Sequence, residues 1–180
     1  MMDKILLPKK INGPRIVLKK NTLRHAKEIF KCVDSDRERL RIFLSWVDKT
    51  TKLEDEINFI KTSGTYNNRP MFSYGMFHEG NYIGGIGVIN VIWEDDVCEL
   101  GYWVHQKHEG KGYISEAVST LEKILFSSGF HRIQIRCEKE NIRSIEVAKR
   151  NGYKFEKIVW DKTPTSEKEL ELMVFVKTMD

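Results

Sequence analysis

Glu99-Leu100-Gly101-Tyr102-Trp103-Val104, followed after a polar link by Gly110-Lys111-Gly112-Tyr113, is the stretch on which the fold turns. A β-branched and aromatic run stops, two glycines appear one residue apart, and an amphipathic helical pattern begins at once. That order predicts a strand, a glycine-bearing loop and a helix N-terminus. The first N–H groups of such a helix have no intrahelical acceptor, and its dipole points the positive end outward. An anionic phosphate is therefore a natural ligand. Glycine matters because a Cβ would hold the phosphate away from the amides. Residues 107–113 form the candidate pyrophosphate cradle.

Two other phosphate loops do not match. The P-loop needs four residues between its glycines, then Gly-Lys-Ser/Thr; here one residue separates the glycines and Tyr113 follows. The dinucleotide fingerprint needs a third glycine where Ser115 stands. His105-Gln106-Lys107-His108 offers two imidazoles without a His-Glu-x-x-His helix, a third ligand or a completing cysteine, so no metal is expected. No Gly-x-Ser-x-Gly elbow supports a serine hydrolase.

Outward from this centre, alternation predicts a first strand over residues 15–19, and Asn21-Thr22 caps a helix over 23–33. Leu40, Phe43, Leu44 and Val47 predict a second helix over 36–47, and Leu53, Ile57 and Ile60 a third, capped at Thr51 and ending near Gly64. Residues 72–78 and 82–89 read as a hairpin across Glu79-Gly80-Asn81. Gly84, Gly85 and Gly87 inside its second strand suggest a bulge or a close backbone approach. After the cradle and its helix come a strand over 131–137, a helix over 142–151 and strands over 153–160 and 170–176. The result is an α+β single domain over residues 15–177, with a mixed, mostly antiparallel twisted sheet flanked by helices. Residues 1–14 read as an N-terminal extension.

Lys107-His108-Glu109-Gly110-Lys111-Gly112 resembles the acetyl-CoA loop of the GNAT (Gcn5-related N-acetyltransferase) superfamily, Gln/Arg-x-x-Gly-x-Gly/Ala. Asn141-Ile142-Arg143-Ser144, with Asn151-Gly152-Tyr153 closing its helix, and Arg39-Leu40…Leu44-Ser45-Trp46 resemble the Rim-type branch that acetylates ribosomal-protein N-termini. The resemblance spans nearly the whole chain. It implies that Trp103, Val104, Lys107, His108, Glu109, Gly110, Lys111, Gly112, Tyr113, Asn141 and Arg150 contact acetyl-CoA. It also implies that an amine attacks the thioester directly through a tetrahedral intermediate. The Val104 N–H would meet the oxyanion, and Ser144 would serve the leaving thiolate. Lys107 departs from the usual Gln or Arg. Ala148 stands where many members carry a tyrosine proposed as general acid, so that role passes to another residue or to water.

Glu99 is the base candidate: alternation places it on the face of Gly101 and Trp103, where it could act directly or through water. An ion-paired strand glutamate is the alternative. How strong a base is needed depends on the acceptor. At pH 7 a lysine amine is roughly 0.04% neutral and an α-amine roughly 10%, a gap of about 3 kcal/mol. Leu44 and Trp46, with Glu99, are expected to wall the acceptor site.

The 180 residues carry a net charge of +4 and are 41% hydrophobic and 31% charged, the balance of one globular domain. Lys and Arg alternate with Asp and Glu instead of clustering, which argues against nucleic acid. Three cysteines without a Cys-x-x-Cys fit reduced thiols and a cytoplasmic setting, and no apolar run reaches the ~20 residues of a membrane span. The expected partners are acetyl-CoA and a protein N-terminus, the enzyme acting as a monomer or homodimer. A small amine such as an antibiotic, polyamine or amino acid is the second acceptor class, and a non-catalytic CoA-binding domain the third reading.

Overall fold

The computed structural model describes residues 7–62, 65–66, 69–162 and 169–179. Its elements are β1 (Lys10–Asn12), β2 (Ile16–Lys20), α1 (Ala26–Asp34), α2 (Arg37–Leu40), α3 (Leu53–Thr62), β3 (Thr65–Tyr66), β4 (Arg69–Pro70), β5 (Phe72–His78), β6 (Asn81–Ile92), β7 (Val97–Val104), α4 (Tyr113–Ser127), β8 (Arg132–Glu138), α5 (Ile142–Arg150), β9 (Lys154–Lys162) and β10 (Glu169–Thr178). Eight strands make one sheet in the order β1-β2-β5-β6-β7-β8-β10-β9; β3 and β4 form a separate short ribbon.

Every pairing in the main sheet is antiparallel except β7 with β8, the two strands that α4 joins as a crossover. That parallel pairing is short. Val97, Cys98 and Glu99 lie opposite Arg132, Ile133 and Gln134, and there it stops. Beyond Glu99, β7 keeps only β6 as a neighbour, while β8 runs on against β10 as far as Glu138. The sheet therefore forks at Glu99.

Strand alternation sends β7 side chains to two separate cores. Leu100 packs on one face with Ala117, Leu121 and Leu125 of α4 and Ala148 of α5. The i, i+4, i+8 spacing of those α4 residues sets them on one stripe. Each buried leucine there contributes about 1.5–3 kcal/mol. On the other face Trp103 joins Trp46, Leu44 and Tyr82 around Ile29, Val33, Leu40 and Val47.

The hairpin turns through Glu79 (φ +49°) and Gly80 (φ +82°), the pair of positive φ values that a two-residue turn of matching twist requires. The glycines of β6 meet both expectations. Register shifts opposite Met76 and Phe77, and a Cβ at Gly84 would lie 2.3 Å from the Trp103 carbonyl oxygen. Lys10–Asn12, inside the segment read as an extension, add the edge strand β1.

The helix expected over 36–47 is not continuous. Residues 37–40 form one turn, the chain leaves helical geometry at Leu44 (φ −125°, ψ 80°), and a 3-10 turn covers Ser45–Asp48. The break lets Leu40 and Val47 enter the same small core, while the Arg37 guanidinium donates to the Val47 carbonyl and to Thr50 O at 2.7 Å. A 3-10 turn over Leu23–His25 likewise precedes α1. At α3 the Asp55 carboxylate reaches back from the first turn and accepts from the N–H groups of Thr51 (2.9 Å) and Lys52 (3.0 Å), just ahead of the helix. The most buried α3 residue is Glu56, not an apolar one.

Candidate active site

The loop between β7 and α4 is built as a row of open donors. Gly110 and Gly112 sit at φ +71° and +81°, left-handed values that glycine adopts without a steric cost. Among the described residues no acceptor engages the N–H groups of residues 110–115, which face outward at the α4 N-terminus. A Cβ at Gly110 would meet nothing within 4 Å, and at Gly112 only the Arg15 guanidinium at 3.4 Å. Lys107 and Lys111 are exposed. Arg150 reaches the first turn of α4 through Nη1 to Ser115 Oγ, 3.2 Å. The Glu109 carboxylate braces the loop: Oε1 accepts from Arg39 at 2.7 Å and Oε2 from Arg143. His108 is half-buried with Nδ1 unpartnered, and burial, then Lys111, lowers its pKa.

At the fork, Glu99 is buried (5% exposed), and its Oε2 accepts from Arg136 Nε (2.7 Å) and Asn90 Nδ2 (2.8 Å). Arg136 also donates to Asp161 at 2.5 Å. Asn90 comes to Glu99 from the β6 bulge, with φ at +48°. Burial raises the Glu99 pKa, and Arg136 and Asn90 reverse only part of that. The His105 N–H bonds Ile83 O of β6 at 2.9 Å. By strand alternation the Val104 N–H then faces the open side of β7, where Val104 O accepts from Arg39 at 2.7 Å.

Across the fork, Asn141 caps α5 by accepting the Ser144 N–H at 3.2 Å. Ser144 Oγ lies 3.1 Å from the Tyr102 hydroxyl, and Cys137 lines the same cavity. Burial raises the Tyr102 pKa and pushes the Cys137 thiol up to about 11. Ala148 is fully buried in the core.

Fork and small core open into one cavity of ≈ 860 Å³, whose wall includes Leu44, Trp46, Glu56, Glu99, Trp103 and Ser144. Trp46 and Trp103 stand 6.0 Å apart, centroid to centroid, as do Tyr82 and Trp103. The structure thus gathers the expected acceptor-side residues Leu44, Trp46 and Glu99 around one space. The cradle residues line the other end of β7. Residues 163–168, within the loop between β9 and β10, lie outside the described residues.

The Acetyltransferase (GNAT) domain family matches residues 15–154. The chain belongs to the GNAT family. The ribosomal-protein-serine acetyltransferase of Escherichia coli (strain K12) is 28% identical over 131 residues, 72% of this chain and 73% of that protein. Two solved structures share the fold. The microcin C7 self-immunity acetyltransferase MccE, in complex with acetyl-CoA and AMP, has a TM-score of 0.86 at 19% identity, covering 98% of this chain and 100% of that one. RimL, the ribosomal L7/L12 α-N-protein acetyltransferase with coenzyme A bound as a cysteine disulfide, has a TM-score of 0.85 at 18% identity, covering 95% and 98%.

This GNAT enzyme is an acetyl-CoA-dependent acyltransferase, and the open donors of residues 110–115 fit the diphosphate of that co-substrate. Among the described residues no group of three His, Cys, Asp or Glu could hold a metal. No described helix is long and apolar enough to cross a membrane.

Several residues of the GNAT site were not evident in the sequence. Arg15 pairs with Glu116 at 2.8 Å and donates to Lys111 O at 3.0 Å, fastening β2 to the cradle. Arg136 and Asn90 hold Glu99, Tyr102 meets Ser144, and Arg39 holds Glu109 and the Val104 carbonyl. No spacing signals partners lying tens of residues apart; only the alternation of β7, which separates Tyr102 from Glu99, carried a trace of them.

Proposed function

We propose that this GNAT enzyme transfers the acetyl group of acetyl-CoA to the α-amine of a protein N-terminus, a ribosomal protein being the first candidate. The observation that carries this reading is the fork at Glu99. It leads from the open amides of the cradle to a cavity with a buried carboxylate on one side and a paired hydroxyl on the other. Similarity to a ribosomal-protein-serine acetyltransferase over most of both chains supports the acceptor class.

Each residue then has a physical task. The cradle amides, with Lys107, Lys111 and Arg150, hold the diphosphate, so the thioester lies along β7. The Val104 N–H faces the carbonyl oxygen on which charge develops, a donor already oriented. Glu99 takes the amine proton, directly or through one water, and its raised pKa makes it a stronger base than an exposed glutamate. Ser144, hydrogen-bonded to Tyr102, supplies a proton to the departing thiolate, the task left open by Ala148.

A second reading, a small amine acceptor, draws on the aromatic walls that narrow the cavity at Trp46 and Trp103. One assay separates the two. Protein, acetyl-CoA and a panel of Ser-, Ala- and Met-initiated peptides and free amines are mixed, and thiol release and acceptor mass are followed. Peptide products support the α-amine reading; products from free amines alone overturn it.

A further inference from the structure

Besides Glu99, the cavity wall carries Asp55, Glu56 and Glu138, carboxyl groups that the transfer chemistry does not use. Glu56 projects from α3 and is 3% exposed, yet no hydrogen bond or ion pair reaches it among the described residues. A carboxylate held mostly out of water is costly to ionise, and such groups ordinarily attract a cation or a donor. Glu99 is engaged by Arg136 and Asn90, and Asp55 by the N–H groups just ahead of α3, while Glu138 is only half-buried at the β8 end. Among the described residues, Glu56 is the buried cavity carboxyl with no such donor.

Its surroundings suit a cation. Tyr82 of β6 lines the same cavity as Glu56, and from Tyr82 the rings run through Trp103 to Trp46 along it. Aromatic faces attract an ammonium through the ring quadrupole, the more so away from water. Position also separates Glu56 from the reaction centre. The fork opens on the β8 side of β7, whereas Tyr82 belongs to β6, the neighbour on the opposite side. A group seated on the Tyr82 ring is therefore approached from the β6 side of β7, away from the fork.

We propose that Glu56, with the rings of Tyr82, Trp103 and Trp46, forms a second station that binds a cationic group of the acceptor other than the amine being acetylated. The substrate class is then a dicationic acceptor: an N-terminal segment with a nearby basic side chain, or a diamine. This rests on the acyl-transfer reading above and adds a charge requirement to it. Burial raises the Glu56 pKa to about 7, so the carboxyl ionises within the working pH range and an incoming cation favours that form.

The probes are a series of α,ω-diamines and the n-alkylamines of matching length. Their binding is measured by calorimetry with coenzyme A present, at about pH 8, where Glu56 is ionised and primary amines stay protonated. Wild type is expected to bind one or more diamines at least about tenfold tighter than the matching monoamine. Glu56→Gln is expected to abolish that preference, and Glu54→Gln, an exposed change on the same helix, to keep it. Equal binding of diamines and monoamines by wild type, or a preference surviving Glu56→Gln, overturns the proposal. Thiol release with acetyl-CoA tests the other layer. A Glu56-dependent preference without thiol release from any acceptor leaves the cation station standing and fells only the transfer reading. Thiol release with the same diamine-to-monoamine ratio of kcat/KM in wild type and Glu56→Gln retains the transfer and overturns the station.

Discussion

Glu99 commits one oxygen to two donors, and what it has left decides whether it can act as a base. Replacing it with glutamine keeps the shape and removes the proton acceptor. A positioned base contributes about 10²–10⁴-fold, so Glu99→Gln is expected to lower kcat by at least about 10²-fold between the raised pKa of Glu99 and the ~8 of an α-amine. Above that pH the acceptor is already neutral and the ratio of wild type to variant shrinks. A kcat–pH profile with a constant ratio would make Glu99 a strut for Arg136 only. The glycines separate conformation from space in the same manner. Gly110→Val meets no neighbour, but a β-branched residue at φ +71° carries about 1–3 kcal/mol of strain. The variant is expected to fold and to raise the KM for acetyl-CoA at least about tenfold as the loop amides turn; an unchanged KM rejects the cradle. Gly84→Ala places its Cβ against the Trp103 carbonyl and is expected to fail in expression or melting instead.

Elements whose cause lies within a few residues were legible: the alternation of β7, the glycine loop, the Asn141 cap, the Glu79-Gly80 turn. Elements whose cause lies elsewhere were not. The 36–47 segment has helical periodicity, yet Arg37 ties it to Val47 and Thr50, and Asp36 accepts the N–H of Gln106 at 2.9 Å, so tertiary contacts break it. The fork itself is a register fact, and a sequence carries no mark for where a parallel pairing ends. Its width can be probed chemically at the α5 end. Cys137 lines the same cavity as Tyr102 and Ser144, so a coenzyme A thiol that reached that depth would meet it. With coenzyme A disulfide, the protein is expected to gain one coenzyme A at Cys137, seen by mass spectrometry and absent in Cys137→Ser. Exchange requires the thiolate. With the thiol near 11, the rate is expected to rise about tenfold per pH unit from 7 to 10. Labelling at Cys32 alone would place the arm's end elsewhere.

At the scale of the whole molecule, a carboxyl buried in the cavity wall lowers the stability of the free enzyme, and the sign with pH is distinctive. Glu56 has its pKa raised from 4.5 to about 7 by burial alone, with Tyr82 as its titratable neighbour. Below 4.5 both folded and unfolded chains hold the proton and nothing is lost. As pH climbs from 4.5 to 7, the unfolded chain has released its proton while the folded one retains it. Folding loses up to about 3 kcal/mol over that interval, and the loss persists above it. Asp36 and Glu116 act in the opposite direction: their pKa values are lowered, so they stabilise above the ordinary carboxyl range and that gain fades as acid protonates them. Glutamine at position 56 mimics the protonated acid at every pH. Glu56→Gln is therefore expected to match wild type in denaturant melts near pH 4 and to exceed it by about 3 kcal/mol near pH 8. At roughly 2–4 °C per kcal/mol, that is a Tm gain on the order of 10 °C. A gain that is the same at both pH values would mean that Glu56 stays in one protonation state throughout, and the carboxyl would lose its part in the balance between binding a cation and folding.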